Sequence, residues 1–250
     1  MTLKVAETWY ESLRITGDLT LIFEAHVHPD LRCNIWHIKG RDCDVIIDSG
    51  LGVASLRDYL GQSLEKKILA VASHTHFDHI GCHHEFEHRL CHPLEAHVLE
   101  APNTLNTVWS EYSVIAADRS QFSALPYEGF ELGDYKIKPA PPTQLIEEGN
   151  LIDLGNRHFS VFHMPGHSPG SVCLYEAATR TLFTGDVLYD GELLDTLYHS
   201  DREVYLETLA RLKELPAETF HCGHYASFGK ARMYELVDTY MAQQGGTIRS

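Results

Sequence analysis

The apolar positions of this chain fall into two patterns. Short apolar or alternating runs at 19–23, 34–39, 45–47 and 68–72 read as strands, and similar runs at 151–152, 158–164, 171–175, 181–183 and 219–222 read as a second group. A 96–98 run reads as one more short strand. Between them lie stretches with helical spacing. Residues 53–60 follow the turn Asp48-Ser49-Gly50-Leu51-Gly52, 81–88 follow a histidine-rich loop, and 103–117 open an aromatic region. Val204, Tyr205, Thr208, Leu209 and Leu212 share one face of a helix over 202–215. Met233, Leu236, Val237, Tyr240 and Met241 form an i, i+3, i+4, i+7, i+8 stripe that packs on a core. Residues 100–138 are the least regular part.

Both halves of the chain carry strands, a turn with candidate ligands, and an amphipathic helix near the end. The expected class is therefore α/β, with two mixed sheets packed face to face and helices on both outer faces, a four-layer αββα sandwich. At 250 residues the chain can bury one sizeable core. The expectation is a single domain over 1–250 with a pseudo-duplicated centre.

Charge narrows the partners. Lys plus Arg is 20 against 35 Asp plus Glu, a formal net charge of -15. So acidic a surface disfavours nucleic acid but leaves a small-molecule substrate open, even an anionic one, since bound cations would reverse the local field. The start, Met1-Thr2-Leu3-Lys4-Val5, does not read as a secretory signal. No apolar run approaches the roughly 20 residues of a membrane span. The six cysteines (Cys33, Cys43, Cys82, Cys91, Cys173 and Cys222) form no CxxC pair. A cytoplasmic, reducing setting with free, buried thiols is expected.

The chemistry concentrates in His74-Thr75-His76-Phe77-Asp78-His79, directly after the 68–72 strand. Alternate residues at a strand end point the same way, so His74 and His76 can share one ion, with Asp78 and His79 across the turn. Three further ligands end later strands. His167 stands in Met164-Pro165-Gly166-His167-Ser168-Pro169-Gly170, where Pro and Gly force a tight turn. Asp186 ends Thr184-Gly185-Asp186, and His224 ends Cys222-Gly223-His224. His163, His221 and Cys222 compete with these ligands but read as packing residues. The proposed sets are His74, His76 and His167 for one ion and Asp78, His79 and His224 for a second, with Asp186 bridging. Three protein ligands before the bridge leave a position for water, as a catalytic site requires. A water held between two ions loses its proton at a pH of about 7. Two divalent ions are expected, zinc by preference, with iron or manganese accommodated by the same donors.

The ordered series HTHFDH, PGHS, TGD and CGH resembles the metallo-β-lactamase fold hydrolases over nearly the whole chain. That resemblance implies the αββα sandwich with its metals at one edge and the ligand assignment above. A more specific likeness lies in Asn34-Ile35-Trp36, in 45–52, in 164–168 and in 183–191, which resemble the metallo-β-lactamase domain-containing protein 2 group. It implies hydrolysis of acyl-coenzyme A thioesters. Residues 225–250 are too few for the helical domain with which glyoxalase II binds glutathione. His79 and Asp186 stand where the best-known zinc β-lactamases carry arginine and cysteine.

Other residues stay open between two roles. Asp48 is either an acceptor that orients a ligand histidine or a turn cap. Tyr189 either donates to a substrate oxyanion, which with Asp78 would make it catalytic, or is an ordinary half-buried tyrosine. His83, His84, His88 and His92 read as a solvated helical face. Trp36 and the aromatic cluster from Trp109 to Phe130 either line a pocket or pack on the sheet. The favoured activity is hydrolysis of an acyl-CoA-like thioester. The alternatives are a lactone or ester hydrolase of the same fold, a mononuclear iron persulfide dioxygenase, and a metal-binding regulator without turnover. A homodimer is compatible with the sequence, although no surface patch argues for it.

Overall fold

The computed structural model describes residues 3–61, 66–116 and 121–245, with no side-chain detail at 113–116. Seven strands form the first sheet in chain order: β1 (Tyr10–Arg14), β2 (Leu19–Glu24), β3 (Ile35–Ile38), β4 (Cys43–Ile47), β5 (Lys67–Val71), β6 (His88–Cys91) and β7 (Gln144–Leu145). It is antiparallel from β1 to β4 and parallel from β4 to β7. The second sheet runs β13 (Phe228–Gly229), β12 (Thr219–Cys222), β11 (Thr181–Gly185), β10 (Val172–Glu176), β9 (His158–His163), β8 (Leu151–Asp153). Only its β11–β12 pair is parallel.

The inner strands β3, β4, β10 and β11 are buried along their whole length, so both of their faces pack. Val45 and Ile47 of β4, with Leu69 and Val71 of β5, meet Val172, Leu174 and Phe183 of the second sheet between the layers. Ile46, Ile68 and Ala70 point the other way, towards Leu56 of α1 (Leu56–Leu60) and Phe77 of α2 (Phe77–Ile80). Cys173, Leu182 and Phe220 on the outer face of the second sheet meet Tyr205, Leu209 and Leu212 of α5 (Arg202–Glu214) and Met233, Val237 and Met241 of α6 (Lys230–Gln243). The result is the expected αββα order. Each buried aliphatic side chain contributes about 1.5–3 kcal/mol to it.

Several local expectations are corrected. The helix expected at 81–88 is instead a 3-10 turn at His83–Glu85, between the short α2, which ends at Ile80, and strand β6, which begins at His88. The strand expected at 96–98 is the helix α3 (Ala96–Glu100), led in by a 3-10 turn with Pro93 in its first turn. The helix expected at 103–117 is α4 (Trp109–Ala116), and Ala117 lies outside the described residues. The edge strand β1 carries no apolar face and was not expected. His83 and His92 are buried, not solvated. Burial pushes the His83 imidazole down to about 3 and His92 to about 4, with His163 adding to the effect at His92. All six cysteines are free and buried, as expected. Among the described residues no helix is long and apolar enough to cross a membrane.

The register brings the site together. The β4–β5 pair sets Ile47 against Val71, so Asp48 and Ser73 leave the sheet side by side. The parallel β11–β12 pair brings the segments carrying Asp186 and His224 out at one edge. Ser73 O accepts Val172 N–H at 2.8 Å, and Gly223 O accepts Asn34 N–H at 2.6 Å, which ties the two sheets together there.

Candidate metal centre

All seven expected ligands are buried and converge. His74, His76 and His167 form one group whose donor atoms lie within 4.8 Å of one another, and Asp78, His79 and His224 form another. His167 Nε2 is 3.1 Å from His76 Nδ1. His224 Nε2 is 3.3 Å from His79 Nε2 and 3.3 Å from Asp78 Oδ2. Asp186 stands between the groups: Oδ1 is 3.4 Å from His79 Nε2, and Oδ2 is 3.3 Å from His224 Nε2 and 3.7 Å from His167 Nε2.

The far nitrogens of the rings fix which nitrogen faces the centre. His79 Nδ1 donates to Asp48 Oδ2 at 2.9 Å, His167 Nδ1 to Leu194 O at 2.9 Å and His224 Nδ1 to Arg32 O at 3.1 Å. His74 Nδ1 donates to Ser73 Oγ at 3.0 Å, and that hydroxyl donates onward to Asp48 Oδ2 at 2.8 Å. Each of these four rings therefore turns the Nε2 lone pair inward. His76 is reversed, with Nδ1 inward and Nε2 3.0 Å from His199 Nε2. His74 Nε2 and Asp186 Oδ1 are buried with no hydrogen-bond partner. Burying such atoms unpaired costs about 1–3 kcal/mol each, so the donor set fits a divalent metal better than it fits the protein alone.

Electrostatics divide the two groups. Burial pushes His74, His76 and His167 below the ordinary imidazole range, which keeps them neutral and able to ligate. Burial acts the same way on His224, but Asp186 and Asp78 outweigh it and raise the ring to about 10. At His79 burial again lowers the ring, but the Asp186, Asp78 and Asp48 carboxylates overcome it and raise it well above its usual value. Burial would raise Asp186, yet His224 and His79 hold it well below the carboxylate range. Two positive ions in the midst of these groups would take over the role of those protons.

The loops are shaped for this geometry. Asp48 adopts φ 63, a left-handed conformation that Asp tolerates better than most residues, and its carboxylate also accepts Ser73 N–H at 2.7 Å. Gly166, at φ 123, packs its backbone on Tyr205, where a side chain would collide. His163 is a packing residue: its ring stacks on His92 at 4.0 Å, and Nε2 donates to Pro169 O at 2.9 Å. His221 lies 4.5 Å from the Trp36 ring, while Cys222 O accepts Trp36 Nε1–H and Asn34 Nδ2–H at 3.0 Å each. Trp36 thus packs and does not line the cavity.

A cavity of about 430 Å³ opens above the centre. His76, Asp78, His167, Asp186 and His224 reach it, with Leu31, Leu194, Leu197, Tyr112 and Tyr189 as walls. Asp30, Glu111 and Glu192 stand at its exposed rim. Tyr189 is near His224, at 5.5 Å between rings, but its hydroxyl donates to Glu192 O at 2.7 Å. The aromatic cluster is mostly packing: the Trp109 and Phe77 rings lie 5.0 Å apart with their planes tilted by 59°, and only Tyr112 of that cluster reaches the cavity. Two contributors carried no sequence motif. One is His199; the other is Cys33, whose thiol is 3.5 Å from His79 Nδ1.

A buried cage of imidazoles and carboxylates open to a cavity defines a metal-dependent hydrolase centre, and comparison with known proteins places it. The model of the metallo-beta-lactamase superfamily matches residues 28–224, and the chain belongs to that superfamily. It is 34% identical over 254 residues to the human protein named Acyl-coenzyme A thioesterase MBLAC2, covering 95% of this chain and 88% of that one. The Gallus gallus protein of the same name is 35% identical over 251 residues, with the same coverage. Among solved structures, a metallo-beta-lactamase family protein from Thermus thermophilus superposes with TM-score 0.69 at 19% identity, over 93% of this chain and 81% of that one. The BLEG-1 B3 metallo-beta-lactamase superposes with TM-score 0.62 at 23% identity, over 90% and 96%. These two likenesses concern the fold. The enzyme is a metal-dependent hydrolase.

Proposed function

We propose that the chain, as one domain over 1–250, hydrolyses an acyl thioester of the acyl-CoA kind with two divalent ions, zinc by preference. The observation that carries the two-ion reading is Asp186, which lies between the two histidine groups, with Oδ1 beside His79 and Oδ2 beside both His224 and His167. The thioester is supported by likeness along 95% of the chain to relatives named for that substrate.

His74, His76 and His167 would hold one ion, Asp78, His79 and His224 the other, and Asp186 both. When bound, the ions supply a water that is deprotonated near neutral pH and a positive field for the carbonyl oxygen. The chain's part is to hold these groups still and keep the carbonyl over them. Asp48 fixes His79 directly and His74 through Ser73. Asp78, at the cavity floor, also orients the attacking water. Leu31, Leu194 and Leu197 exclude other water from the acyl group. The water oxygen bonds to the carbonyl carbon, and the carbon–sulfur bond then breaks. The thiolate departs without a strong acid, because its conjugate thiol has a pKa of about 8.5. Tyr189 steadies the oxyanion by exchanging the Glu192 carbonyl for it.

The test is metal content of the protein purified without added metal, paired with thiol release from a short and a long acyl-CoA and with a lactone panel. Two zinc or manganese ions with thiol release, lost by at least about 100-fold in Asp186→Ala, are expected. Lactone cleavage without thiol release would replace the thioester with an ester. One iron with sulfide-dependent oxygen uptake would replace hydrolysis altogether.

A further inference from the structure

We infer that His199 is a positioning residue for the first metal site, holding the ligand His76 by its outer nitrogen. The inference rests on the ligand assignment proposed above. His76 is the one ligand histidine that turns Nδ1 inward. A neutral ring that ligates through Nδ1 carries its proton on Nε2. That proton needs an acceptor, and the atom in reach is His199 Nε2 at 3.0 Å. His199 must then be neutral, with its own proton on Nδ1. The two rings meet head to head, nearly coplanar (13° between planes, centroids 5.2 Å apart), so the hydrogen bond lies in the plane of the His76 ring and limits its rotation.

The loop that bears His199 is built to hold this site. Leu194 O takes the proton of His167 Nδ1 at 2.9 Å, and Ser200 Oγ donates to His167 O at 2.7 Å. Two of the three first-site ligands are therefore fixed by one segment, residues 194–200. The segment is pinned in turn by Tyr198 N–H on Glu111 Oε1 at 2.9 Å and by Asp195, which accepts from Arg202 Nε at 2.5 Å and Tyr240 at 2.6 Å. His199 does not itself ligate in this arrangement, because it meets the nitrogen of His76 that faces away from His74 and His167.

The experiment is Zn2+ binding to the purified protein in competition with a chromophoric chelator, for wild type, His199→Ala, His199→Phe and His199→Gln. His74→Ala marks loss of the first site and His224→Ala loss of the second. Phe keeps an aromatic ring at this position but has no acceptor, and Gln keeps an acceptor. The expected result is a 10–100-fold loss of first-site affinity in the Ala and Phe variants, partial recovery in Gln, and an unchanged second site. Metal-free melting temperatures close to wild type accompany it. Wild-type affinity in His199→Phe, or a Gln variant no better than Ala, overturns the proposal. So does an equal loss at both sites, which makes His199 a general packing residue. A wild type that binds no Zn2+ removes the two-ion reading as well, which separates that failure from this one.

Discussion

Asp48 accepts the Nδ1 proton of His79 at 2.9 Å, and the same carboxylate takes both the backbone N–H and the hydroxyl of Ser73. It thereby sets the tautomer of His79, proposed for the second site, directly and that of His74, proposed for the first, through one hydroxyl. Asp48→Asn keeps a residue that tolerates φ 63 but replaces one acceptor oxygen with a donor. Its Zn2+ affinity should fall by about 10–100-fold. Unlike the His199 variants, it should weaken both sites, and chelator competition would show whether one site escapes.

Gly223 lies against Asp186. A methyl group there would collide with Asp186 Oδ1 and come within 2.9 Å of His79 Cε1. Gly223→Ala should therefore displace the Asp186 carboxylate, the proposed bridge, while changing no proposed ligand. Turnover should drop about 100-fold or more, because misplacement by about 1 Å is that costly at a reacting centre. Far-ultraviolet circular dichroism should be unchanged. Full activity with two bound ions would show that the carboxylate has room to move.

How much of this was readable from residue order follows from what is local. The seven expected ligands follow the ends of strands β5, β9, β11 and β12, two of them in the short α2, and four short motifs announce them, so motif order alone picked out the residues that converge. The sandwich followed from two groups of apolar runs that are buried on both faces. What could not be read depends on contacts distant in sequence. His199 meets His76 across 123 positions and stands in no motif. Strand β1, Tyr-Glu-Ser-Leu-Arg, has four exposed residues of five; it exists because its backbone pairs with β2, and not because of an apolar face. Strand β6 buries only Leu90 and Cys91, too short a signal to separate from the helical spacing before it. The run 96–98 reads as a strand, but Pro93 opens a turn that leads straight into α3.

Glu24 predicts a pH effect on stability. It is fully buried, and burial raises its carboxyl to about 7, against the lowering effect of Leu51 N–H and Trp9 Nε1–H, with Asp78 adding to the rise. The native state then binds more protons than the unfolded one between about pH 4.5 and 7. Stability should therefore be greatest below that window and decline as pH rises through it, by about 3 kcal/mol at most. Glu24→Gln removes the titration. Urea unfolding at fixed metal loading from pH 5 to 8 should show a flatter profile in the variant. Parallel profiles would mean that Glu24 titrates elsewhere.

The rim of the cavity predicts how the enzyme treats the charged part of a thioester. Asp30, Glu111 and Glu192 stand there, and no lysine or arginine is among the described residues that line the cavity. The phosphates of a coenzyme A thioester must stay outside this rim while the pantetheine arm passes it. Repulsion between them reaches about 30 Å at 0.01 M salt but only about 8 Å at 0.15 M. Raising the salt over that range should increase kcat/KM for acyl-CoA several-fold and leave an acyl-pantetheine without phosphates unchanged. Glu111→Gln with Glu192→Gln should reduce the salt effect by weakening its source. A decline of kcat/KM with salt for acyl-CoA alone would instead place a cationic phosphate site beyond the rim, and the acids would then have no part in substrate choice.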